Sequence, residues 1–394
     1  MTDHRGSASV IAVCSVCTGV GSVLGFIPGF IATALREDLG ISQGRIGLLV
    51  GLYFGCTGVG SILGGRLTDR FGSRAVVVAD MTIVALAAAF GAALGSYWAL
   101  LVAACVAGAG YTLVNAGTNV AIAHAVPLRR RTLAMSIRTA GVPATAAIAA
   151  AAGPAAAQRW GWELLLWAVA GSALLAGAGA ALLLSDSSGQ QESERALPTT
   201  SLPDGFVWFP IGAFLMIAGS QPLYSWIVPY LEQSLDASPG LAGGTSAVAS
   251  VVGVGVMIMN ALRSDLIGPS QRMSRLVILL GVNATAIVLV VSGQTAGIGV
   301  SLAGTLLGIS VQLSAIGIMH ATIVDRVPGA VARATGWTMT GYYLGALVSP
   351  VAFGYVADVT NTFVWSWLAT IVLLLLAIPA WLAAGRVAIV SEHC

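Results

Sequence analysis

Twelve stretches of this 394-residue chain are apolar and long enough to cross a lipid bilayer. A spanning helix needs about 20 mostly apolar residues, and a helix satisfies its own backbone hydrogen bonds in lipid. Only 9% of the residues are charged, against about 25% in an average soluble domain. The sequence therefore predicts an all-α membrane protein. The predicted spans are 10–34, 44–63, 75–94, 98–122, 132–157, 161–184, 206–231, 240–262, 275–293, 297–322, 332–357 and 362–385.

A single long polar stretch divides these spans into two sets of six. We predict an N-terminal bundle at 1–184, a cytoplasmic linker at 185–205 and a C-terminal bundle at 206–394. The halves resemble one another, since the Phe-Ile-Pro that ends at Pro28 parallels the Trp-Ile-Val-Pro that ends at Pro229. Such a repeat predicts twelve transmembrane helices in two pseudo-symmetric six-helix bundles. Carriers built this way place the substrate between the repeats and rock one against the other.

The arginines predict the orientation of the chain in the membrane. Loops after even-numbered spans hold twelve of them, whereas the opposite side holds three. Basic residues are enriched in cytoplasmic loops, so we expect both termini in the cytoplasm of a multi-pass protein of the plasma membrane. The twelve are Arg66, Arg70, Arg74, Arg129, Arg130, Arg131, Arg195, Arg263, Arg272, Arg275, Arg326 and Arg333, and the three are Arg36, Arg45 and Arg159.

The segment 64–74, Gly-Gly-Arg-Leu-Thr-Asp-Arg-Phe-Gly-Ser-Arg, is predicted to be a charged loop between two spans. Together with the twelve spans, it resembles the major facilitator superfamily, whose loop after the second helix reads G-x-L-[AG]-[DE]-R-[FY]-G-R-[RK]. Thr68 and Ser73 depart from that pattern. The resemblance covers essentially the whole chain and implies a transporter. It also implies a cytoplasmic gating latch, formed by Gly65, Asp69, Arg70, Gly72 and Arg74.

A finer resemblance concerns the fourth and fifth spans. Asn-Ala-Gly-Thr-Asn at 115–119, Val-Pro-Leu-Arg-Arg-Arg at 126–131 and Ile-Arg-Thr-Ala-Gly-Val-Pro at 137–143 look like a bacterial branch related to cyanate and nitroimidazole transporters. That branch implies small anions or small polar molecules as solutes.

Arg138 is the main candidate for contact with the solute. It lies inside the fifth span, where a charged group costs ~2.5–3.5 kcal/mol. The cost is tolerable when the guanidinium faces water, a partner or a ligand, and its planar fork suits a carboxylate. Two other interpretations remain open, an arginine that extends to the cytoplasmic interface and a structural ion pair.

Asp80 lies at a similar depth in the third span. It is interpreted either as a proton-titrating carboxylate or as an ion-pair partner of the nearby arginines. The second interpretation is favoured, because helix 3 lies outside the cavity in the family that the chain resembles. We therefore expect Asp80 to pair with Arg70 or Arg74.

Neutral polar side chains inside other spans are further candidates for binding the solute. Asn115 and Asn119 are four residues apart, which places them on one face of a helix. For the aromatic members, packing or anchoring at the membrane interface is an equally good explanation. The full set of neutral candidates is Asn115, Asn119, Gln221, Tyr224, Trp226, Asn260, Gln312 and Tyr342.

Machinery for enzymatic catalysis or primary pumping is missing from the sequence. The chain contains no lysine and hence no G-x-x-x-x-G-K-[ST] phosphate loop. We expect no enzyme activity, no cofactor and no metal. The predicted function is secondary active transport of a small anionic or polar organic solute, with protons as a candidate coupling ion. The alternatives are drug or antibiotic efflux by proton antiport, and a transporter-like sensor or channel. We expect the protein to contact the lipid bilayer, to bind no nucleic acid and to be a monomer.

Overall fold

The structure, a computed structural model, describes residues 4–185, 202–265, 269–327 and 330–386. Almost every residue in these ranges is helical, which confirms the predicted all-α fold class. The first half contains α1 (His4–Ser22), a 3₁₀ turn (Val23–Gly25), α2 (Ile27–Phe30), α3 (Ala32–Leu39), α4 (Gln43–Phe71), α5 (Ser73–Leu94), α6 (Tyr97–Ala125), α7 (Leu128–Trp160) and α8 (Trp162–Leu183). The second half contains α9 (Trp208–Ser220), α10 (Pro222–Ser225), α11 (Ile227–Leu235), α12 (Pro239–Asp265), α13 (Pro269–Ala296), α14 (Ile298–Arg326), α15 (Val331–Thr360) and α16 (Val364–Ala384).

The described helices include ten that are long and apolar enough to span a membrane, or up to twelve when two bent helix pairs count as one span each. One pair is α4, which bends by 57° between Ser61 and Leu63. The other joins Trp208–Ser225 to α11 at 56°. Aromatic and apolar side chains remain exposed on these helices, Leu175 at 77% and Leu182 at 84% among them, as expected of surfaces that face lipid.

The prediction of a loop at 64–74 was wrong. Helix α4 continues through Phe71, and α5 begins at Ser73, so that Gly72 alone joins the two helices. Gly72 has a φ of 81°, a left-handed conformation that glycine adopts without steric cost. The charged residues that suggested a loop are accommodated because Arg66, Asp69 and Arg70 lie exposed on the last turns of α4.

The described chain forms two compact units. Unit 1 comprises Met1–Ile41 and Leu48–Ser193, and unit 2 comprises Ser42–Gly47 and Glu194–Cys394. The domain boundaries at 184/185 and 205/206 stay a prediction, and residues 186–201 of the expected linker lie outside the described residues.

Close helix packing in unit 1 depends on small residues. A Cβ on Gly108 of α6 would overlap the backbone carbonyl of Tyr53 on α4, and one on Gly141 of α7 would overlap the carbonyl of Ser15 on α1. Small residues let the backbones of neighbouring helices approach in lipid. The helices that surround Arg138 and Asp80 are therefore held at short separations.

Unit 2 is held by an aromatic cluster and by a helix cap. Trp226 stacks on Phe353 with ring centroids 5.4 Å apart, and Phe353 meets Trp367 edge to face at 4.8 Å. The carboxylate of Asp358 accepts hydrogen bonds from the backbone N–H groups of Gln43 at 2.8 Å and Gly44 at 2.7 Å. These donors belong to the first turn of α4, where backbone N–H groups lack partners within the helix.

We expect Gly108→Ala to destabilise the protein, because the added methyl group would overlap the backbone of Tyr53, which cannot move without shifting α4. Overpacking of this kind costs ~1–3 kcal/mol. Thermal unfolding of the purified protein in detergent, followed by tryptophan fluorescence, should show a melting temperature lower by several degrees. The matched control is Gly171→Ala on α8, where a Cβ meets no atom within 4 Å. Equal melting temperatures for the two variants would contradict the packing described.

Candidate functional site

Arg138 is buried in unit 1, with 6% of its surface exposed. Its Nε donates a hydrogen bond to Thr118 Oγ1 at 2.7 Å, and its Nη2 donates to the carbonyl oxygen of Asn115 at 3.1 Å and to Asn115 Oδ1. Both acceptors lie on α6, whereas Arg138 lies on α7. The guanidinium is thus fixed against α6 by two of its three nitrogens.

The third nitrogen of the guanidinium, Nη1, has no hydrogen-bonding partner among the described residues. Nη1 is not one of the fully buried side-chain atoms that lack a partner. Arginine Nη1 provides two N–H donors in the plane of the fork. Among the described residues no acceptor occupies these two donors.

The burial of Arg138 argues against one of the interpretations left open by the sequence. An arginine that extends to the membrane interface would be exposed at its charged end, whereas this side chain is buried and bonded to α6. A structural ion pair is likewise not formed, because the recorded partners of Arg138 are neutral oxygens of Asn115 and Thr118. A positive charge therefore lies inside the unit without a counter-ion among the described residues.

The threonines beside Arg138 connect it to α1. Thr118 donates to the carbonyl of Val114 at 2.5 Å, and its hydroxyl lies 3.4 Å from that of Thr18. Thr18 and Tyr111 are members of this site that the sequence analysis did not identify. Tyr111 could have been recognised from spacing, because it precedes Asn115 by four residues on the same face of α6.

The two asparagines predicted to act together have different surroundings. Asn115 is half-buried and holds Arg138, whereas the side chain of Asn119 is exposed. The spacing places both on one side of the helix, but only Asn115 lies at the level of the guanidinium. Asn119 has no recorded hydrogen bond with the Arg138 cluster.

The structure does not form the ion pair that the sequence favoured for Asp80. Its side chain is fully buried on α5 at 0% exposure. Neither carboxylate oxygen has a hydrogen-bonding partner among the described residues. Arg70 instead lies over the ring of Phe71, 5.2 Å from its centroid. The sequence placed both arginines near Asp80 along the chain, but α4 ends with Arg70 exposed, away from the buried carboxylate.

The residues of the predicted gating latch lie at the joint between α4 and α5. Gly65, Asp69 and Arg70 are exposed, Gly72 forms the joint, and Arg74 is half-buried on the first turn of α5. The role of these five residues as a latch stays a prediction.

The candidates in unit 2 fall into two groups. Trp226 is fully buried, donates its indole N–H to the carbonyl of Pro350 at 3.3 Å and stacks on Phe353. These contacts fit the packing explanation offered for the aromatic candidates, and the role of Trp226 in binding stays a prediction. Tyr342 is half-buried and packs edge to face against Tyr343, with centroids 5.4 Å apart.

The other group in unit 2 consists of neutral hydrogen-bonding side chains. Asn260 Nδ2 donates to Ser314 Oγ at 3.0 Å. Gln221 Nε2 and Gln312 Oε1 are buried and have no hydrogen-bonding partner among the described residues. Tyr224 is buried at the short helix α10. These side chains offer donors and acceptors without a formal charge.

Within the described residues, no group of three or more His, Cys, Asp or Glu side chains could hold a metal ion. The polar groups of the site are thus organised for hydrogen bonding and for the charge of Arg138.

Comparison with known proteins identifies relatives along most of the chain. Residues 10–350 match the family model described as Major Facilitator Superfamily. The gentisate transporter of Corynebacterium glutamicum is 22% identical over 343 residues, which cover 83% of this chain and 76% of that protein. The inner membrane transport protein YajR of Escherichia coli is 28% identical over 145 residues, which cover 37% of this chain and 31% of YajR.

Solved structures share the fold at low sequence identity. A bacterial homologue of the human lysosomal transporter Spinster, in an inward-facing and occupied conformation, aligns with a TM-score of 0.81 and 15% identity, covering 96% of this chain and 97% of that one. A D-xylose–proton symporter aligns with a TM-score of 0.73 and 15% identity, covering 97% and 98%.

We expect Asn115→Leu to destabilise the protein, because it removes the side-chain acceptor of Nη2 and leaves that donor with the backbone carbonyl alone. A lost hydrogen bond to a charged group costs ~1.5–3 kcal/mol. Thermal unfolding in detergent measures the effect. Asn119→Leu is the matched control and should stay within ~0.5 kcal/mol of the wild type, as most exposed substitutions do. If both variants unfold at the same temperature, Asn115 does not support Arg138.

Proposed function

The chain belongs to the major facilitator superfamily, and on that premise we propose that it is a secondary transporter of small organic carboxylates. The observation that supports this solute class is the guanidinium of Arg138, which is buried, held at two nitrogens and available at the third. Transport rather than enzymatic catalysis is the activity of its relatives.

A carboxylate is the solute that best fits the charge of this site. A buried cation without a counter-ion is unfavourable, so an anion that reaches Nη1 restores charge balance inside the unit. A carboxylate oxygen can accept a hydrogen bond from Nη1, and such charge-assisted hydrogen bonds are stronger than neutral ones. Because Asn115 and Thr118 already orient the guanidinium, little side-chain entropy is lost when the anion binds.

In the proposal, discrimination in favour of anions depends on the charge of Arg138. The printed name of one relative, a gentisate transporter, supports a hydroxylated aromatic acid as the first probe.

The proposed transport cycle is alternating access, in which the Arg138 site is exposed to one side of the membrane at a time. The arginine distribution supports a plasma-membrane protein with both termini in the cytoplasm. In the same proposal, the segment from Gly65 to Arg74 acts as the cytoplasmic latch.

Transport by the reconstituted protein tests the solute class. We expect proteoliposomes to exchange radiolabelled gentisate, but not hydroquinone, which has the same ring and hydroxyl groups and lacks the carboxylate. Arg138→Ala should reduce gentisate exchange by ~10- to 100-fold, the equivalent of a charged hydrogen bond worth ~1.5–3 kcal/mol. Arg138→Lys should recover only part of the activity, because lysine lacks the planar fork.

The matched control is Arg159→Ala, an exposed arginine on the same helix that packs against Trp160, which should leave exchange unchanged. A panel of cationic dyes included in the same assay tests the alternative of drug efflux. Gentisate exchange that survives Arg138→Ala, or dye transport without carboxylate transport, would contradict the proposed function.

A further inference from the structure

Asp80 is the one described side chain in unit 1 that is acidic, fully enclosed and unbonded at both of its oxygens. It is 0% exposed on α5, and neither Oδ1 nor Oδ2 has a hydrogen-bonding partner among the described residues. Arg138, which is buried in the same unit, has three acceptors. The proposed function uses Arg138 and gives no role to Asp80.

Two glycines make room for this carboxyl group. A Cβ on Gly21 of α1 would lie 3.0 Å from Asp80 Oδ2, and a Cβ on Gly110 of α6 would lie 2.8 Å from Oδ1. Both distances are shorter than ordinary van der Waals contact. The carboxyl group is thus enclosed between the backbones of α1 and α6, and the enclosure depends on the absence of side chains at these two positions.

Few titratable groups face Asp80 from the helices packed around it. Cys17 on α1 and Tyr111 on α6 are within electrostatic range of the carboxyl group. On α8, Gly177 packs against Met81, the residue next to Asp80. Arg138 on α7 is within electrostatic range of Tyr111 and of Cys14. Among the described residues, Asp80 therefore faces no cation.

We propose that Asp80 is a proton-binding site of the carrier, which holds one proton in the enclosed state and exchanges it with water during the transport cycle. An ionised carboxylate that is enclosed without a donor among the described residues is strongly disfavoured, so the enclosed group is a neutral carboxylic acid. In each cycle the carboxylate takes one proton from water and later returns one proton to water.

Tyr111 packs beside the carboxyl group of Asp80. Its ring carbon Cδ2 would lie 3.3 Å from a Cβ on Gly21, the same point that Asp80 Oδ2 approaches to 3.0 Å. Tyr111 is half-buried, as is Asn115 one helical turn further along α6. An aromatic side chain therefore lines the enclosure on the side of α6.

The charges fix the direction of coupling, a step that rests on the proposed function. With a carboxylate bound at Arg138 and a proton on Asp80, these three groups carry no net charge, whereas an ionised Asp80 would leave one negative charge enclosed in the membrane. Solute and proton then bind together, and the coupling predicted by this geometry is symport.

Infrared spectroscopy of the purified full-length protein in lipid nanodiscs tests the proton site without any solute. We expect the wild type at neutral pH to show the carbonyl-stretch band of a protonated carboxylic acid. Asp80→Asn, which has nearly the same shape as the neutral acid, should fold normally and lose that band. Asp325→Asn is the control that should keep it, because Asp325 forms a salt bridge with Arg272 at 2.7 Å. Identical wild-type and Asp80→Asn spectra would overturn the proposal.

A transport experiment tests whether the proton is exchanged. With one proton per solute, a pH difference of one unit should drive about tenfold accumulation of gentisate in the alkaline compartment of wild-type vesicles, after subtraction of protein-free vesicles, since 1.4 kcal/mol equals a factor of ten. Asp80→Asn should abolish this accumulation and retain exchange of gentisate at equal pH. Accumulation by Asp80→Asn equal to that of the wild type would overturn the proposal.

The infrared and transport experiments test the proton site and the proposed function separately. If the wild type moves no gentisate, the carboxylate proposal fails, and the infrared band alone decides whether Asp80 holds a proton. If gentisate exchange depends on Arg138 but the infrared band is unaffected by Asp80→Asn, the solute proposal stands and the proton site is wrong.

Discussion

The arrangement of unit 1 depends on a positive charge that is buried without a counter-ion. Placing a guanidinium inside a membrane span costs ~2.5–3.5 kcal/mol even on insertion scales, and Arg138 recovers part of that cost through hydrogen bonds to Thr118 and Asn115. Those bonds leave one nitrogen unused. The same interactions that make the buried charge tolerable therefore fix its direction and keep two donors available to a ligand.

Helix packing makes this geometry possible. Gly108 brings α6 against the backbone of Tyr53 on α4, and Gly141 brings α7 against Ser15 on α1. Arg138 and its acceptors lie on α7 and α6, and Asp80 is enclosed between α1 and α6. A change in the separation of these helices would alter both sites at once. We infer that the small residues of unit 1 couple the position of the guanidinium to the enclosure of the carboxyl group.

The sequence predicted the fold class well, because long apolar stretches and helix-scale spacing are local properties. The positions of the spans followed from hydropathy. The predicted loop at 64–74 is largely helical, because a charged loop and the exposed, charged end of a helix have similar sequences. The sequence also predicted that Arg138 and Asp80 lie inside helices that span the membrane. It did not predict the residues around them, because Thr18, Tyr111 and the glycines around Asp80 come together only when α1, α5, α6 and α7 pack.

The central claim is that Nη1 of Arg138 binds the carboxylate of the solute, and a cryo-electron microscopy structure of the protein with gentisate tests it most directly. We expect density for the ligand with a carboxylate oxygen at hydrogen-bonding distance from Nη1, while Nε and Nη2 keep their bonds to Thr118 and Asn115. Ligand density elsewhere in the protein, with Arg138 unchanged and uncontacted, would contradict it.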